Sequence, residues 1–273
     1  VVTYLLSKAH GREIALLPAP MFGRFQHPFA IYNGTKGSMT PADLKGRRVG
    51  VRSFTTTTGT WVRGILANDY GVDLDSIDWI TFEEPHVAEY RDKTKRAPEG
   101  KKIVQMLLDG ELDAVVGESS NDPRAKSLFG DPKAEAERWY AKHHVVPINH
   151  LVVMRSRDVK AEPQMAREVY RILREGKRMA GAPAQPDPIP FGIEANRDSL
   201  GMVAEFAFQQ RHRLLAAARV ADEEFDIHLR RVAAVLEKDL HGIVVGLPRA
   251  VVVARVGLVF AHHHLRADRK SVV

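Results

Sequence analysis

Short runs of apolar residues alternate along the chain with longer segments in which apolar residues recur every three or four positions. The short runs are typical of buried β-strands, and the longer segments are typical of amphipathic α-helices. Strands are predicted at Ile14–Leu17, Phe29–Tyr32, Arg48–Val51, Trp79–Phe82, Ala114–Gly117 and His150–Met154. Helices are predicted at Thr58–Tyr70, Lys101–Asp109 and Gln164–Ala180. This alternation predicts an α/β fold with a largely parallel sheet.

Two segments have the pattern of connections between compact units. Thr40–Gly46 reads as a capped helical turn that ends at a glycine, directly before a predicted strand. In Val145–Asn149, a proline interrupts the passage from a helical stretch to the next strand. Two connections predict that one lobe is inserted into another. The expected division is residues 1–45 in the first lobe, 46–147 in the second, 148–226 in the first again, and 227–273 as a basic tail.

The positive charge of the chain is concentrated in that tail. The formal net charge is +6, and residues 227–273 contain eight Lys and Arg against three Asp and Glu. The rest of the chain is nearly balanced and has no basic stripe interleaved with aromatic residues, so nucleic acid is not an expected partner. The most apolar stretch, Gly242–Phe260, is interrupted by Pro248, Arg249 and Arg255, so membrane insertion is not expected either.

Cysteine and histidine usage limits the possible chemistry. The chain contains no cysteine, which excludes disulfides, thiolate catalysis and cysteine-ligated zinc. His143 and His144 are adjacent and point apart if they are helical, while His262–His264 lie in the tail. The acidic residues of 109–113 alternate around a predicted turn, where solvation is expected. We therefore predict no obligatory metal and no cofactor.

Several motifs, in a fixed order, resemble one protein family. The run DLKGRRVGV at 43–51, followed by a threonine-rich loop, resembles the lobe-crossing segment of type II periplasmic binding proteins. More specific are WVRGIL at 61–66, DYGV at 69–72, MLLDGELDA at 106–114 and FGIEANR at 191–197. Together they resemble 4,5-dihydroxyphthalate decarboxylase and its relatives among the substrate-binding proteins of ABC transporters.

The resemblance runs over roughly residues 4–225 and carries expectations about the fold. It implies a type II periplasmic-binding-protein-like fold, in which two α/β lobes are joined by a two-segment hinge and a ligand binds in the cleft. Members of this family usually begin with a strand, a helix and an acidic-serine motif ahead of the point where this sequence starts. The first lobe is therefore expected to be incomplete, with an N-terminal truncation. The residues after 226 resemble nothing in the family.

A hydroxyl-rich loop, Ser53–Thr60, follows a predicted strand and opens a predicted helix. A helix N-terminus carries unpaired N–H groups and a partial positive charge, so this loop predicts a cradle for a carboxylate or phosphate. The alternative is that one threonine merely caps the helix. The ligand candidates in the loop are Thr55, Thr56, Thr57 and Thr58.

Other side chains complete the predicted ligand site. Arg24 and Arg63 are each suited to clamp a carboxylate through two parallel hydrogen bonds, and Trp61 to stack on an aromatic ring. This set would suit an aromatic diacid. The alternatives are surface ion pairs for the arginines and a core position for Trp61. Asn196, at the start of the last helix expected from the resemblance, is a further pocket candidate.

Aromatic decarboxylation requires that the ring accept a proton where carbon dioxide leaves. The candidate donors are His27, Glu118 and His150. Glu118 follows the strand Ala114–Gly117, and ligands of open α/β sheets bind at the carboxyl ends of strands. His150 follows the second predicted connection and is expected to face the cleft. Alternatively, Glu118 caps the turn that follows it, and the histidines are structural.

Three functions are compatible with these expectations, the third of which is an intracellular ligand sensor on the same fold. The first is a carboxy-lyase that removes a carboxyl group from an aromatic dicarboxylate while lobe closure excludes water. The second is the receptor of an ABC importer, in which closure only captures a small anionic solute and a permease is the partner. The enzyme would be cytoplasmic and the receptor periplasmic. A carboxylate cradle serves both capture and catalysis, so the residues alone leave these functions open.

Overall fold

The computed structural model describes residues 1–210, so the tail predicted at residues 227–273 lies outside the described residues. The α-helices are α1 (Val2–Ala9), α2 (Thr57–Tyr70), α3 (Ile103–Leu108), α4 (Pro132–His143), α5 (Ser156–Ala161), α6 (Pro163–Met179) and α7 (Ile193–Gln209). The strands are β1 (Ile14–Gly23), β2 (Ala30–Asn33), β3 (Arg48–Val51), β4 (Asp78–Thr81), β5 (Lys95–Arg96), β6 (Ala114–Val116), β7 (Ala125–Ser127) and β8 (Ile148–Arg155). Every predicted strand and helix is present, β3 with the predicted ends and the others with shifted ends.

Six of the strands form one mixed sheet in the order β5-β4-β3-β6-β2-β7. The pairings of β3 with β4, of β3 with β6 and of β4 with β5 are parallel. Strand β2 runs antiparallel to both of its neighbours. The predicted α/β class with a largely parallel sheet is therefore confirmed. The other two strands, β1 and β8, pair antiparallel in a separate two-stranded sheet.

Apolar side chains cover both faces of the six-stranded sheet. Ala114 and Val116 of β6 belong to the main core, which includes Trp61 and Ile65 of α2. Val115, between them, belongs to a second cluster with residues of α3. Successive residues of a strand point to opposite faces, so a fully apolar strand such as β6 is buried on both sides. This explains the continuous apolar run in the sequence.

Helix α2 follows β3 and is anchored at both ends. Thr56 caps its first turn by accepting a hydrogen bond from the Gly59 N–H at 3.3 Å, and Gly71 ends it in the left-handed conformation, with φ of 68°. Gly64 lies where α7 crosses. A Cβ at this position would be 2.0 Å from the ring of Phe206, so only glycine allows this approach. Helix α2 is thus packed between the sheet and α7.

The chain crosses between the two sheets twice, and the crossings lie side by side. It leaves β1 at Gly23 and returns into β8 after Pro147, and the Arg24 N–H donates a hydrogen bond to the Pro147 carbonyl at 3.0 Å. Thr40–Gly46, by contrast, connects β2 to β3 within one sheet. A capped turn before a strand has the same sequence pattern in either setting. We propose that residues 24–29 and 145–147, rather than Thr40–Gly46, join the predicted lobes.

No helix within residues 1–210 is long and apolar enough to span a membrane.

Candidate ligand site at the first turn of helix α2

The threonine-rich loop divides into two structural threonines and two that lie half-buried at the helix start. Thr55 is fully buried and accepts a hydrogen bond from the His86 N–H at 3.3 Å, and Thr56 caps α2. The Thr57 Oγ1 accepts from the Val2 N–H at 3.1 Å, and the Thr58 Oγ1 accepts from the Asn149 Nδ2 at 3.0 Å. Neither hydroxyl donates a hydrogen bond within residues 1–210. Within residues 1–210, the hydroxyl protons of Thr57 and Thr58 are therefore not used.

Strand β6 ends against this turn. Gly117 has a φ of 95°, and a Cβ there would lie 3.7 Å from the backbone nitrogen of Gly59 in the first turn of α2. Glu118, the next residue, is thus brought to the start of the helix and is partly exposed. This is the arrangement that the position of Glu118 at the carboxyl end of a strand predicts.

Arg24 lies on the first crossing segment and His150 lies in β8 just after the second, and the charge of Arg24 acts on His150. The Arg24 guanidinium carbon lies 3.5 Å from the centroid of the Phe29 ring. Burial lowers the pKa of Arg24, and the carboxylate of Glu118 opposes that shift. Burial also lowers the pKa of His150, and nearby positive charges, Arg24 among them, lower it further. The structure therefore brings Arg24, Glu118 and His150 together electrostatically.

Two amides connect this group to the threonines, and the sequence-based prediction missed both. Gln26 and Asn149 are buried, and the Gln26 Nε2 donates to the Asn149 Oδ1 at 2.8 Å. Asn149 in turn donates to Thr58. The sequence offered one signal, because Gln26 directly precedes His27 and Asn149 directly precedes His150. Amides carry no charge, so Gln26 and Asn149 were not among the predicted anion ligands.

Arg63 lies on the opposite, buried side of α2. Its side chain is fully buried, with the Nε donating to the Gln210 Oε1 at 2.9 Å and the Nη2 to the Phe54 carbonyl at 2.6 Å. The Nη1 has no hydrogen-bond partner within residues 1–210 and would lie 3.1 Å from a Cβ on Gly59. Burial lowers the pKa of Arg63 to about 9, against the opposing effect of Tyr90 and Asp92. The guanidinium thus remains charged at pH 7 behind the first turn.

His27 lies apart from the other candidate donors. Its ring is buried, with centroids 5.1 Å from that of Phe129 and 6.1 Å from that of Trp139. Neither ring nitrogen makes a hydrogen bond among the described residues. Burial lowers the pKa of His27 to about 4, although Asp69 opposes the shift. His27 is therefore a neutral histidine at pH 7.

Trp61 and Asn196 also occupy the interior. Trp61 is fully buried and donates from its Nε1 to the Ile148 carbonyl at 3.1 Å, which ties α2 to β8. Asn196 is fully buried and donates to the carbonyls of Pro190 and Gly192, so it holds the turn that precedes α7. Asn196 makes no hydrogen bond to the threonine loop. Both side chains stabilise the framework around the site.

No group of three or more His, Asp or Glu side chains within residues 1–210 is arranged to hold a metal ion. A depression of about 200 Å³ is lined by residues that include Tyr140, His144, Asp187 and Ser199. None of the predicted site residues lines it. Of the predicted residues, Thr57, Thr58 and Glu118 lie at the first turn of α2.

Known proteins resemble this chain in sequence. No family model matches it. The 4,5-dihydroxyphthalate decarboxylase of Comamonas testosteroni is 31% identical over 171 residues, which cover 57% of this chain and 52% of that protein. The protein of the same name from Pseudomonas putida is 32% identical over 131 residues, covering 42% and 51%. The chain is a homologue of these proteins. The resemblance stated from its motifs is confirmed, and the chain spans about half the length of the curated relatives it matches.

Solved structures also resemble the chain. The periplasmic aliphatic sulphonate binding protein SsuA from Escherichia coli is 12% identical, with a TM-score of 0.41, over 78% of this chain and 61% of that one. The desulfurization enzyme DSZB is 14% identical, with a TM-score of 0.44, over 77% of each chain.

Proposed function

We propose that this chain binds a small aromatic carboxylate at the first turn of α2 and decarboxylates it, as the name of its sequence relatives indicates. The observation that carries this proposal is the pair of threonine hydroxyls at the helix start. Thr57 and Thr58 accept hydrogen bonds from neighbouring N–H groups and keep their own protons, so they are donors for an oxygen anion. Arg24, whose charge acts on Glu118 and His150, supplies a positive charge.

The electrostatics of this turn favour an anion from two further directions. The N-terminus of a helix carries a partial positive charge equivalent to roughly half an elementary charge. Arg63 is fully buried, and no carboxylate within residues 1–210 lies at ion-pair distance from it. A buried charge without a partner is costly, and a bound carboxylate at this turn would compensate it through the low-dielectric interior. Arg63 thus supports anion binding without touching the ligand.

The chemistry that we propose is a proton-for-carboxylate exchange on the aromatic ring. The bond between the ring carbon and the carboxyl carbon breaks, carbon dioxide leaves, and the electron pair stays on the ring. A proton from the protein then forms the new C–H bond, and the other carboxylate remains held at the helix start. With 4,5-dihydroxyphthalate the products are carbon dioxide and a dihydroxybenzoate.

His150 and Glu118 are the proton donors that we propose for this step. Both are partly or largely exposed and belong to the electrostatic group around Arg24. His27 is neutral at pH 7, because its pKa is about 4, and it is enclosed by aromatic rings. If His150 donates the proton, the rate falls as pH rises through the lowered pKa of His150. We therefore expect the rate to fall at a pH below about 6.5, which is the usual pKa of histidine.

The experiment is incubation of the protein with 4,5-dihydroxyphthalate, with carbon dioxide release and binding heat followed in parallel. We expect release by the wild-type protein, and a loss of at least about a hundredfold in rate for the variant that removes the donor, His150→Asn or Glu118→Gln. The matched control is His10→Asn, at an exposed histidine that follows α1. Binding by the wild-type protein without release would contradict the enzyme.

The alternative function is a solute-binding receptor of an ABC importer. The observation that favours it is the pair of adjacent crossings between the two sheets, joined by the hydrogen bond from the Arg24 N–H to the Pro147 carbonyl. Two short neighbouring connections are where a hinge acts in proteins that close around a ligand. In that case the same carboxylate cradle captures an anion without chemistry, and a permease is the partner. Binding heat without carbon dioxide release distinguishes this function from the first.

A further inference from the structure

A chain of hydrogen bonds runs from the crossing segments to the first turn of α2. The Gln26 Nε2 donates to the Arg24 carbonyl at 2.7 Å and to the Asn149 Oδ1 at 2.8 Å. The Asn149 Nδ2 then donates to the Thr58 Oγ1 at 3.0 Å. Gln26 is fully buried and Asn149 is 2% exposed, whereas Thr58 is partly exposed. The chain therefore starts in the interior and ends at the proposed ligand site.

The direction of these hydrogen bonds is fixed at the buried end. A backbone carbonyl can only accept, so the Gln26 atom that faces the Arg24 carbonyl must be the amide nitrogen. The Asn149 atom that faces this nitrogen must then be the oxygen, which turns the Asn149 nitrogen toward Thr58. Gln26 keeps this orientation although its Oε1 makes no hydrogen bond within residues 1–210. An amide nitrogen only donates, so the hydroxyl of Thr58 is used as an acceptor and its proton points elsewhere.

We propose that Gln26 and Asn149 are positioning residues that make Thr58 a dedicated donor toward an anionic oxygen of the ligand. This inference rests on the proposed function, because it deepens the description of the same site. Each donor in such a chain polarises the next, so the Thr58 proton is a stronger donor than an isolated hydroxyl. The second lone pair of Thr58 can still accept, but the hydrogen bond from Asn149 leaves its proton available to a ligand oxygen. The chain thus favours carboxylates and similar oxygen anions at this turn.

A purely structural role for Asn149 makes a different prediction. Asn149 lies within β8, whose backbone pairs with β1, and Gln26 keeps its hydrogen bond to the Arg24 carbonyl if the Asn149 side chain is removed. If Asn149 only supports the fold, its replacement weakens binding equally whether or not Thr58 has a hydroxyl. If Asn149 acts through Thr58, its replacement has an effect only while that hydroxyl is present. A double-mutant cycle separates the two roles.

The experiment is titration calorimetry with 4,5-dihydroxyphthalate on the wild-type protein, Asn149→Ala, Thr58→Val and the double variant. We expect Thr58→Val to weaken binding about tenfold or more, since a hydrogen bond to a charged group is lost. Asn149→Ala is expected to weaken binding about threefold to tenfold in the wild-type background and to add nothing to Thr58→Val. Thr58→Ser, which keeps the hydroxyl, should bind within about threefold of the wild-type protein.

Equal losses from Asn149→Ala in both backgrounds, or no loss in the wild-type background, would overturn the positioning role while leaving the proposed function intact. A wild-type protein that does not bind the diacid would overturn both. If Asn149→Ala fails to fold, as judged by circular dichroism, Asn149→Asp replaces it. Its carboxylate still accepts from Gln26 but turns the Thr58 hydroxyl toward itself, so we expect a larger loss in the wild-type background than in Thr58→Val. Equal losses there would also overturn the inference.

Discussion

The proposed ligand site at the first turn of α2 and the buried face of the same helix contain the same residue types in opposite environments. Arg24 is partly exposed on the segment after β1, and its charge acts on Glu118 and His150. Arg63 lies fully buried on the other side, with neutral oxygen acceptors for its Nε and Nη2. The difference teaches that an arginine near an anion site either binds the anion directly or sets the electrostatic potential from behind.

The same contrast holds for the histidines. His150 is exposed and lies near Phe22, with ring centroids 5.5 Å apart, whereas His27 is enclosed by Phe129 and Trp139. We propose that the exposed residues serve chemistry and the buried ones serve stability. Substitutions on the buried side should change the free energy of unfolding, and those on the exposed side should change affinity for the ligand.

The largest expected effect is on stability, from Arg63→Ala. This change removes a large buried side chain and leaves the acceptors of Gln210 and Phe54 without their donor. We expect the free energy of unfolding to fall by about 3 kcal/mol or more, as measured by urea denaturation. Arg24→Ala, the matched change on the exposed side, should lower it by less than about 1 kcal/mol. Equal losses of unfolding free energy in the two variants would contradict the proposed difference between the buried and the exposed arginine.

The next effect is a dependence of stability on pH that originates from His27. The folded protein holds the pKa of His27 at about 4, below the usual 6.5, so the unfolded chain takes up the proton first as pH falls. The contribution of neutral His27 to the free energy of unfolding is therefore present above pH 6.5 and is lost between pH 6.5 and pH 4. We expect wild-type protein to lose about 2 kcal/mol more than His27→Leu between pH 7 and pH 5. Denaturation curves at the two pH values measure this difference, and parallel losses would show that His27 does not titrate in this way.

The smallest effect is on affinity alone and belongs to Arg24. Arg24→Gln removes a positive charge from the proposed ligand site, so binding of 4,5-dihydroxyphthalate should weaken about tenfold, equivalent to about 1.4 kcal/mol. Arg124→Gln is the control, because Arg124 pairs with Asp122 at the surface and should leave affinity unchanged. Calorimetric titration checks both variants. Unchanged affinity of Arg24→Gln would remove Arg24 from the proposed ligand site.

Most of the fold was predictable because its signals are local. The buried strands β3 and β6 are continuous apolar runs, and α2 has a threonine cap and a glycine stop. The two short strands β5 and β7 were not predicted, since they contain two and three residues and exist through pairing with neighbours. The first connection between lobes was predicted at Thr40–Gly46, after β2, whereas we propose that it lies before β2. The prediction differed because a capped turn has the same sequence pattern within a sheet and between sheets.

The sequence predicted residues near the start of α2, but it did not predict which side of this helix each side chain faces. The threonine loop and Glu118, which follows β6, do lie at the start of α2, and ligand binding there stays a prediction. Arg63 and Trp61 lie in the same short motif, but α2 is buried over residues 59–66, and residue type does not tell which side of such a helix faces a ligand. Gln26 and Asn149 were missed because their role depends on a hydrogen bond across 123 positions of the sequence.

The most direct test of this account is a crystal structure of the protein with 4,5-dihydroxyphthalate. We expect one carboxylate to accept hydrogen bonds from the hydroxyls of Thr57 and Thr58 at the first turn of α2, with Arg24 in contact and Arg63 still buried behind the turn. A diacid bound instead in the depression lined by Tyr140, Asp187 and Ser199 would contradict the central claim that the first turn of α2 is the anion site.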